Sequence, residues 1–261
     1  MGEVIKNTLV LVPQNMIEKE IPGISTIEVE VKKDSQLPMV RLGKDLCNYF
    51  NEERNGFISR ECFKNAEEFI TIEGEKYAIV QRLNFAWNIL KSDGSFLSKD
   101  EDFKEVCYSS SLPFIVVRKN EKFNLLKLDG RFVSPNEDFL QISTRYQIKN
   151  MVLVIRSNGC YNFLGADGSF LESKFDFIRV NTLSSEFKFR YYQNYDSLPS
   201  DLEDCLKVTK SDSTVNILKS DGSYINSNED FLEIKDFNSK YITFVVKRKN
   251  GLYNFLQFDG T

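Results

Sequence analysis

Short apolar runs alternate with turn-forming residues along most of this chain, and the runs come in pairs. PFIVVRK (Pro113–Lys119), MVLVIR (Met151–Arg156) and TFVVKRK (Thr243–Lys249) are rich in β-branched residues and end on a base, which predicts strands. A turn follows each. Asn158-Gly159 and Asn250-Gly251 are strong hairpin dipeptides because both residues accept positive φ, and Asn120-Glu121 and Asp212-Ser213 are poorer versions. The second strand then carries an aromatic or apolar residue, an Asn and two more apolar residues, and the chain reverses again at an Asp-Gly pair. Phe96-Leu97, Phe132-Val133, Phe170-Leu171 and Tyr224-Ile225 supply a short third strand.

The second strands align as copies of one another. WNILKSDGSFL begins at Trp87, FNLLKLDGRFV at Phe123, YNFLGADGSFL at Tyr161, VNILKSDGSYI at Val215 and YNFLQFDGT at Tyr253. A weaker copy, Cys47-Asn48-Tyr49-Phe50, has two extra residues before Gly56. From Asn48 to Asn88, Asn124, Asn162, Asn216 and Asn254 the intervals are 40, 36, 38, 54 and 38 residues. The period is thus about 38 with one insertion, in the range of supersecondary repeats. Gly94, Gly130, Gly168 and Gly222 mark the second turn of successive units.

After the third strand comes Ser134-Pro135-Asn136-Glu137, which has the cap serine, first-position proline and third-position glutamate of a capping box. It predicts one helical turn ending near Phe139, repeated at Ser98…Glu101 and Asn226…Glu229. Phe103, Phe139, Phe177 and Phe231 fall at one equivalent position and are expected to be buried. A lone hairpin is unstable in water, so the units must stack to make a core. The expected fold is all-β, with about six tandem β-hairpin units forming an open twisted or superhelical array. A six-bladed propeller is the alternative: the last unit stops at Asp259-Gly260-Thr261, before its third strand, and N-terminal strands could complete that blade.

These units resemble the WG-repeat proteins, whose repeats carry a Trp or Tyr, then Gly, two apolar residues and a later Gly. The aromatic here is Trp87, Phe123, Tyr161 or Tyr253, and all six copies have Asn in place of the usual Gly. Asn tolerates positive φ best among the other residues, so a bulge or left-handed residue is expected at Asn88 and its equivalents. The resemblance covers roughly Pro38 to the C-terminus. It implies an interaction or scaffolding module and supplies no catalytic residues.

Two segments depart from the repeat. Residues 1–37 hold the strand-like runs Asn7–Pro13 and Thr26–Lys32, read as capping strands or as partners of the first unit. Residues 182–204 are the insertion, which contains Arg190, Tyr191, Tyr192 and Tyr195 ahead of a run of acids. Tyr and Arg are favoured at binding hot spots, making these four the candidate partner-binding residues. A loop packed on its own repeat is the plainer account. Glu101-Asp102, Glu137-Asp138 and Glu229-Asp230 also recur in register, as do Arg118-Lys119, Arg156 and Lys247-Arg248-Lys249. They would form charged ladders for a partner, or would simply pair between units.

Composition narrows the functional classes. The chain of 261 residues has no histidine, which removes imidazole acid–base chemistry, His-activated nucleophiles and His-containing zinc sites. It has neither GxxxxGK[ST] nor GxGxxG after a strand, and its SDG turns lack the alternating acids of a calcium loop. An acid-only hydrolase is the remaining enzymatic reading and requires two carboxylates about 5–10 Å apart in a cleft. No catalytic, cofactor or metal residues are assigned. The five cysteines include no CxxC, the formal net charge is −4, and no apolar stretch approaches a membrane span. Those features point to a reducing cytoplasm and a protein partner, with no nucleic acid and no membrane expected. Glycan or small-ligand binding through exposed Tyr and Trp faces with Asn and Asp is the second functional reading.

Overall fold

The hairpins expected from the sequence are the framework of the protein. The computed structural model describes residues 27–29, 37, 39–42, 46–51, 56–108, 112–148, 150–183, 204–238 and 243–261. These residues form antiparallel sheets, none closing on itself. The chain divides into two compact units, Met1–Phe132 and Val133–Thr261.

In the first unit β1 (Ile27–Val29) pairs with β2 (Met39–Leu42), which pairs with β3 (Leu46–Asn51), and β3 reaches β4 (Gly56–Phe57). The run Thr26–Lys32 thus contributes a strand to the sheet of the first repeat, and Asn7–Pro13 lies outside the described residues. β5 (Asn65–Ala66) and β6 (Ile70–Ile72) both pair with β7 (Glu75–Gln81), which forms a hairpin with β8 (Trp87–Lys91). β9 (Glu105–Tyr108) then flanks the hairpin of β10 (Phe114–Lys119) and β11 (Lys122–Lys127).

The second unit repeats the scheme. β12 (Gln141–Ile148), β13 (Met151–Ile155) and β14 (Tyr161–Leu164) are followed by β15 (Phe177–Thr182), β16 (Leu206–Lys210) and β17 (Val215–Leu218) in one sheet. β18 (Glu233–Asn238), β19 (Thr243–Lys247) and β20 (Tyr253–Gln257) form the last.

Three expectations change in detail. The short third strand is reduced to single bridges, Leu90↔Phe96, Leu126↔Phe132, Leu164↔Phe170 and Leu218↔Tyr224. The capping-box segments fold as bends and turns, with no helical turn. Asn226 Oδ1 still accepts the N–H groups of Asn228 and Glu229, so the cap chemistry is present but the next residues cross directly to Phe231, which bridges Val215. At or just beyond each anchoring Phe lies a strand the hydrophobic pattern did not reveal (β9, β12, β15 and β18), because its residues mix polar with apolar and few of them are fully buried.

The anchors are buried as expected: Phe103, Phe139, Phe177 and Phe231 are at most 2% exposed. Each core cluster combines one unit's hairpin with neighbouring anchors. Leu97, Phe103, Ile115, Val117 and Leu126 share one, and Phe163, Phe177, Val208 and Leu218 another. The Asp-Gly turn is a second inter-repeat contact. Gly130 has φ of +86°, and a Cβ there would lie 2.5 Å from the carbonyl oxygen of Leu97 in the preceding repeat. Gly168 meets Val133 in the same way, at 2.7 Å.

Candidate functional site

The repeated Asn is the first candidate, and its role differs from the expected one. Asn48, Asn88, Asn124, Asn162 and Asn216 are at most 3% exposed, and none of the repeat Asn residues has positive φ. Asn88 sits in regular register opposite Val80. An Asn is needed for its amide. Asn162 Nδ2 donates to the carbonyls of Glu172 and Phe175 at 2.9 and 3.4 Å and to Asp176 Oδ1 at 2.8 Å, while its Oδ1 accepts the Phe163 N–H at 2.8 Å. Asn88 makes the same set with Ser98, Glu101, Asp102 and Ile89, and Asn216 with Asn226, Glu229, Asp230 and Ile217. One side chain thereby fastens the returning loop to the hairpin and satisfies carbonyls that no ladder reaches. In the first repeat Asn48 holds Ser59 and Glu61 by the same means. Asn254 in β20 is exposed and keeps the bond to the Phe255 N–H.

The recurrent charges pair rather than form free ladders. Arg82 binds Glu61 from the preceding repeat and Asp102 from its own, each at 2.8 Å. Arg156 spans Glu137 and Asp176 in the same way, at 2.8 and 3.0 Å. Lys210 holds Asp230, Arg248 holds Glu229 and Lys119 holds Glu101. Carboxylates do come together in pairs, but each pair grips one guanidinium. Burial pushes the Asp176 carboxyl up, yet hydrogen bonds from Asn162, Arg156 and Asn158 and the Arg156 charge bring it below the usual range. A general acid requires the opposite shift.

Neighbouring repeats also share a buried phenol. Tyr224 donates to Glu172 Oε1 at 2.6 Å, and burial followed by that bond pushes its pKa well above the ordinary range. Cys107 is exposed, but local burial, the hydrogen bond to Glu105 and that residue's charge raise its thiol pKa. Little of it is therefore the nucleophilic thiolate near neutrality.

Turns of two kinds use one design, whereas the two-residue Asn120-Glu121 turn places Asn120 itself at φ of +56°. Asp93 Oδ1 accepts the Ser95 N–H and hydroxyl at 2.8 and 2.6 Å, a turn lock that uses up the acid a calcium ion would need. At the other turn Asn158 Oδ1 accepts the Cys160 N–H, and only Gly159 of the dipeptide has positive φ. Asn there acts through its side chain, not through a left-handed backbone.

Arg190, Tyr191, Tyr192 and Tyr195 lie outside the described residues; Thr182 and Leu206, a paired couple of β15 and β16, bracket their segment. Two surface features escaped the sequence reading. Leu140, Ile178 and Leu232 each follow an anchoring Phe and are 45–46% exposed. Leu83 and Phe85, at the tip of the β7–β8 hairpin, are 55% and 64% exposed. Neither set is placed by the sequence, because apolar positions alone do not show which way a side chain faces.

No protein-family model and no curated protein matches the chain. Solved structures resemble it distantly. The computationally designed Ika8 protein is 8% identical with a TM-score of 0.30, covering 88% of this chain and 70% of its own. Hsv2 of Kluyveromyces lactis is 11% identical with a TM-score of 0.30, over 89% and 75%. BamB from Moraxella catarrhalis is 9% identical with a TM-score of 0.28, over 88% and 68%. At such scores the fold rests on the chain's own sheets, and function must be argued from its own surfaces.

Proposed function

We propose that this chain is a non-catalytic interaction or scaffolding repeat that binds a protein partner. The observation that carries this is the set Leu140, Ile178 and Leu232, three aliphatic side chains held exposed at one repeat position of the second unit. Lys64 and Lys104 occupy that position in the first unit. A fold built on clamps and ion pairs presents these residues from a rigid frame, which limits the ordering cost of association. The recurrent acids Glu101, Asp102, Glu137, Asp176, Glu229 and Asp230 are engaged by Arg or Lys. The glycan reading calls on exposed Tyr and Trp with Asn and Asp, and the repeat Asn side chains are buried in five of six copies and so are not among its contacts. The resemblance to WG repeats rests on the aromatic-Asn and Asp-Gly motifs, and a reducing, cytoplasmic setting on an odd number of cysteines with no CxxC among them.

Replacing all three aliphatics by serine tests the reading. Exposed substitutions of this kind shift stability by about 0.5 kcal/mol or less each, so the melting curve should change little. Partners recovered by affinity purification with the parent chain should be lost with the triple variant. Recovery of an unchanged set from both would remove this surface from the proposal. Saccharide binding on a glycan array without a protein partner would reverse it.

A further inference from the structure

Four hairpin tips of this protein share one geometry, a three-residue loop closed by two backbone hydrogen bonds. Arg82 N–H bonds Ala86 O and Phe85 N–H bonds Arg82 O; the loops at Arg156–Cys160, Lys210–Thr214 and Arg248–Leu252 match them bond for bond. The third loop residue has positive φ in each. It is Gly159 at +80°, Ser213 at +66° and Gly251 at +85° in three tips, and Phe85 at +66° in the fourth. A bulky residue in the left-handed region is a strained choice, and such residues cluster at functional sites.

The tip sequences differ in the same sense. Ser157-Asn158-Gly159, Ser211-Asp212-Ser213 and Lys249-Asn250-Gly251 are polar or small, whereas Leu83-Asn84-Phe85 sets two large apolar side chains in solvent. The tip is also held firmly. Asn84 Oδ1 accepts the Ala86 N–H, Asn84 Nδ2 reaches Asp102 at 3.4 Å, and Gln81 Nε2 donates to the Phe85 carbonyl at 3.1 Å. Lys64 Nζ lies 3.4 Å from the Phe85 ring centroid. Among the described residues no carboxylate pairs with Lys64, in contrast to Arg82, Arg118, Arg156, Lys210 and Arg248. One aromatic face therefore carries a cation that no described carboxylate matches, beside an aliphatic side chain on a pre-formed knob.

We infer that the Leu83–Phe85 tip is a docking finger that inserts into an apolar pocket of a protein partner whose rim carries carboxylates. This rests on the interaction reading above and gives it a specific contact. The apolar pair supplies the buried anchor, the Lys64 charge selects an acidic rim, and the fixed loop reduces the ordering cost of insertion.

The test places a photo-crosslinking amino acid at position 83 of the full chain in cells, with position 140 and the polar tip position 157 as controls. We expect one protein adduct from position 83 and none from 157, attached to a partner peptide with Asp or Glu beside apolar residues. Phe85→Gly, which installs the residue used by two other tips, should lower that adduct about tenfold or more, as for loss of a hot-spot contact. Its melting midpoint should not fall, because removing the left-handed strain offsets the added chain freedom. Lys64→Glu should reduce the adduct at low salt, with the deficit narrowing as salt rises. A melting loss of more than a few degrees in Phe85→Gly would make Phe85 a structural residue and overturn the inference. An adduct with lipid or with a second copy of this chain would overturn it as well. Crosslinking at 140 without crosslinking at 83 removes the finger and leaves the broader function standing, whereas none at either position removes both.

Discussion

Gly130→Ala is expected to destabilise the protein by about 3 kcal/mol or more, although it adds one methyl group. Two costs combine. Alanine in the left-handed region at φ of +86° loses about 1–2 kcal/mol, and the new Cβ would stand 2.5 Å from the Leu97 carbonyl oxygen, where only backbone movement can relieve it. The carbonyl belongs to the preceding repeat, so the strain falls on the contact between repeats. Gly159→Ala is the control. It has nearly the same φ, +80°, but nothing lies within 4 Å of its Cβ, so the expected loss is about 1 kcal/mol. Urea unfolding of both variants measures the difference, and equal midpoints would show that close approach plays no part.

The second large effect is at Asn162. Asn162→Ala removes an amide that serves Glu172, Phe175, Asp176 and Phe163 and leaves two half-buried carbonyls without this donor, with an expected loss of about 2–3 kcal/mol. Asn162→Asp keeps the shape and reverses the chemistry, since a carboxylate would face the Asp176 oxygen now 2.8 Å from Nδ2. The new acid's pKa is raised in the folded state, so its neutral form favours folding below the unfolded pKa and that benefit is lost as pH rises through the folded one. This variant should therefore be least stable, relative to the parent, near neutrality and should recover in acid. Asp176 in the parent has the opposite sign. Its folded pKa lies below the ordinary aspartate value, so its contribution is present above the unfolded pKa and is lost as pH falls through the folded one. Unfolding midpoints at pH 7 and pH 4.5 should show the gap between variant and parent narrowing on acidification. A gap independent of pH would mean that the amide does not face the carboxylate.

How much of this was legible in the sequence depended on whether a residue's role is local. Phe139 and Phe231 could be placed inside from repetition alone, because burial of a large apolar residue leaves the same trace in every copy. The hairpins between β13 and β14 and between β19 and β20 were legible from β-branched runs and Asn-Gly turns. Asn88 was misread because sequence shows which residue recurs but not whether its backbone or its side chain is needed; its partners lie 10 to 14 residues ahead. Pro135 and Glu137 favoured a helical turn locally, and the pull of Phe139 into a bridge-forming position overrode that preference. Phe85 was hidden for a related reason, since an apolar residue beside a strand reads as core until its φ and exposure are known.

The pairing of Thr182 with Leu206 has a practical consequence. Between β12 and β13 the corresponding couple, Ile148 and Met151, is separated by two residues, and between β18 and β19 Asn238 and Thr243 are separated by four. Yet β15 and β16 keep a continuous ladder from Arg179–Thr209 to Thr182–Leu206 across a much longer connection. The glycine contacts and asparagine clamps all lie on the opposite side of these strands in sequence, and closing a longer loop costs only about 0.6 kcal/mol per doubling. Leu183 and Cys205 extend that pairing and are buried in the core of the following repeat, so the natural splice point lies inside them: an unrelated peptide grafted between Leu183 and Cys205 would leave the core, the asparagine clamps and the glycine contacts in place.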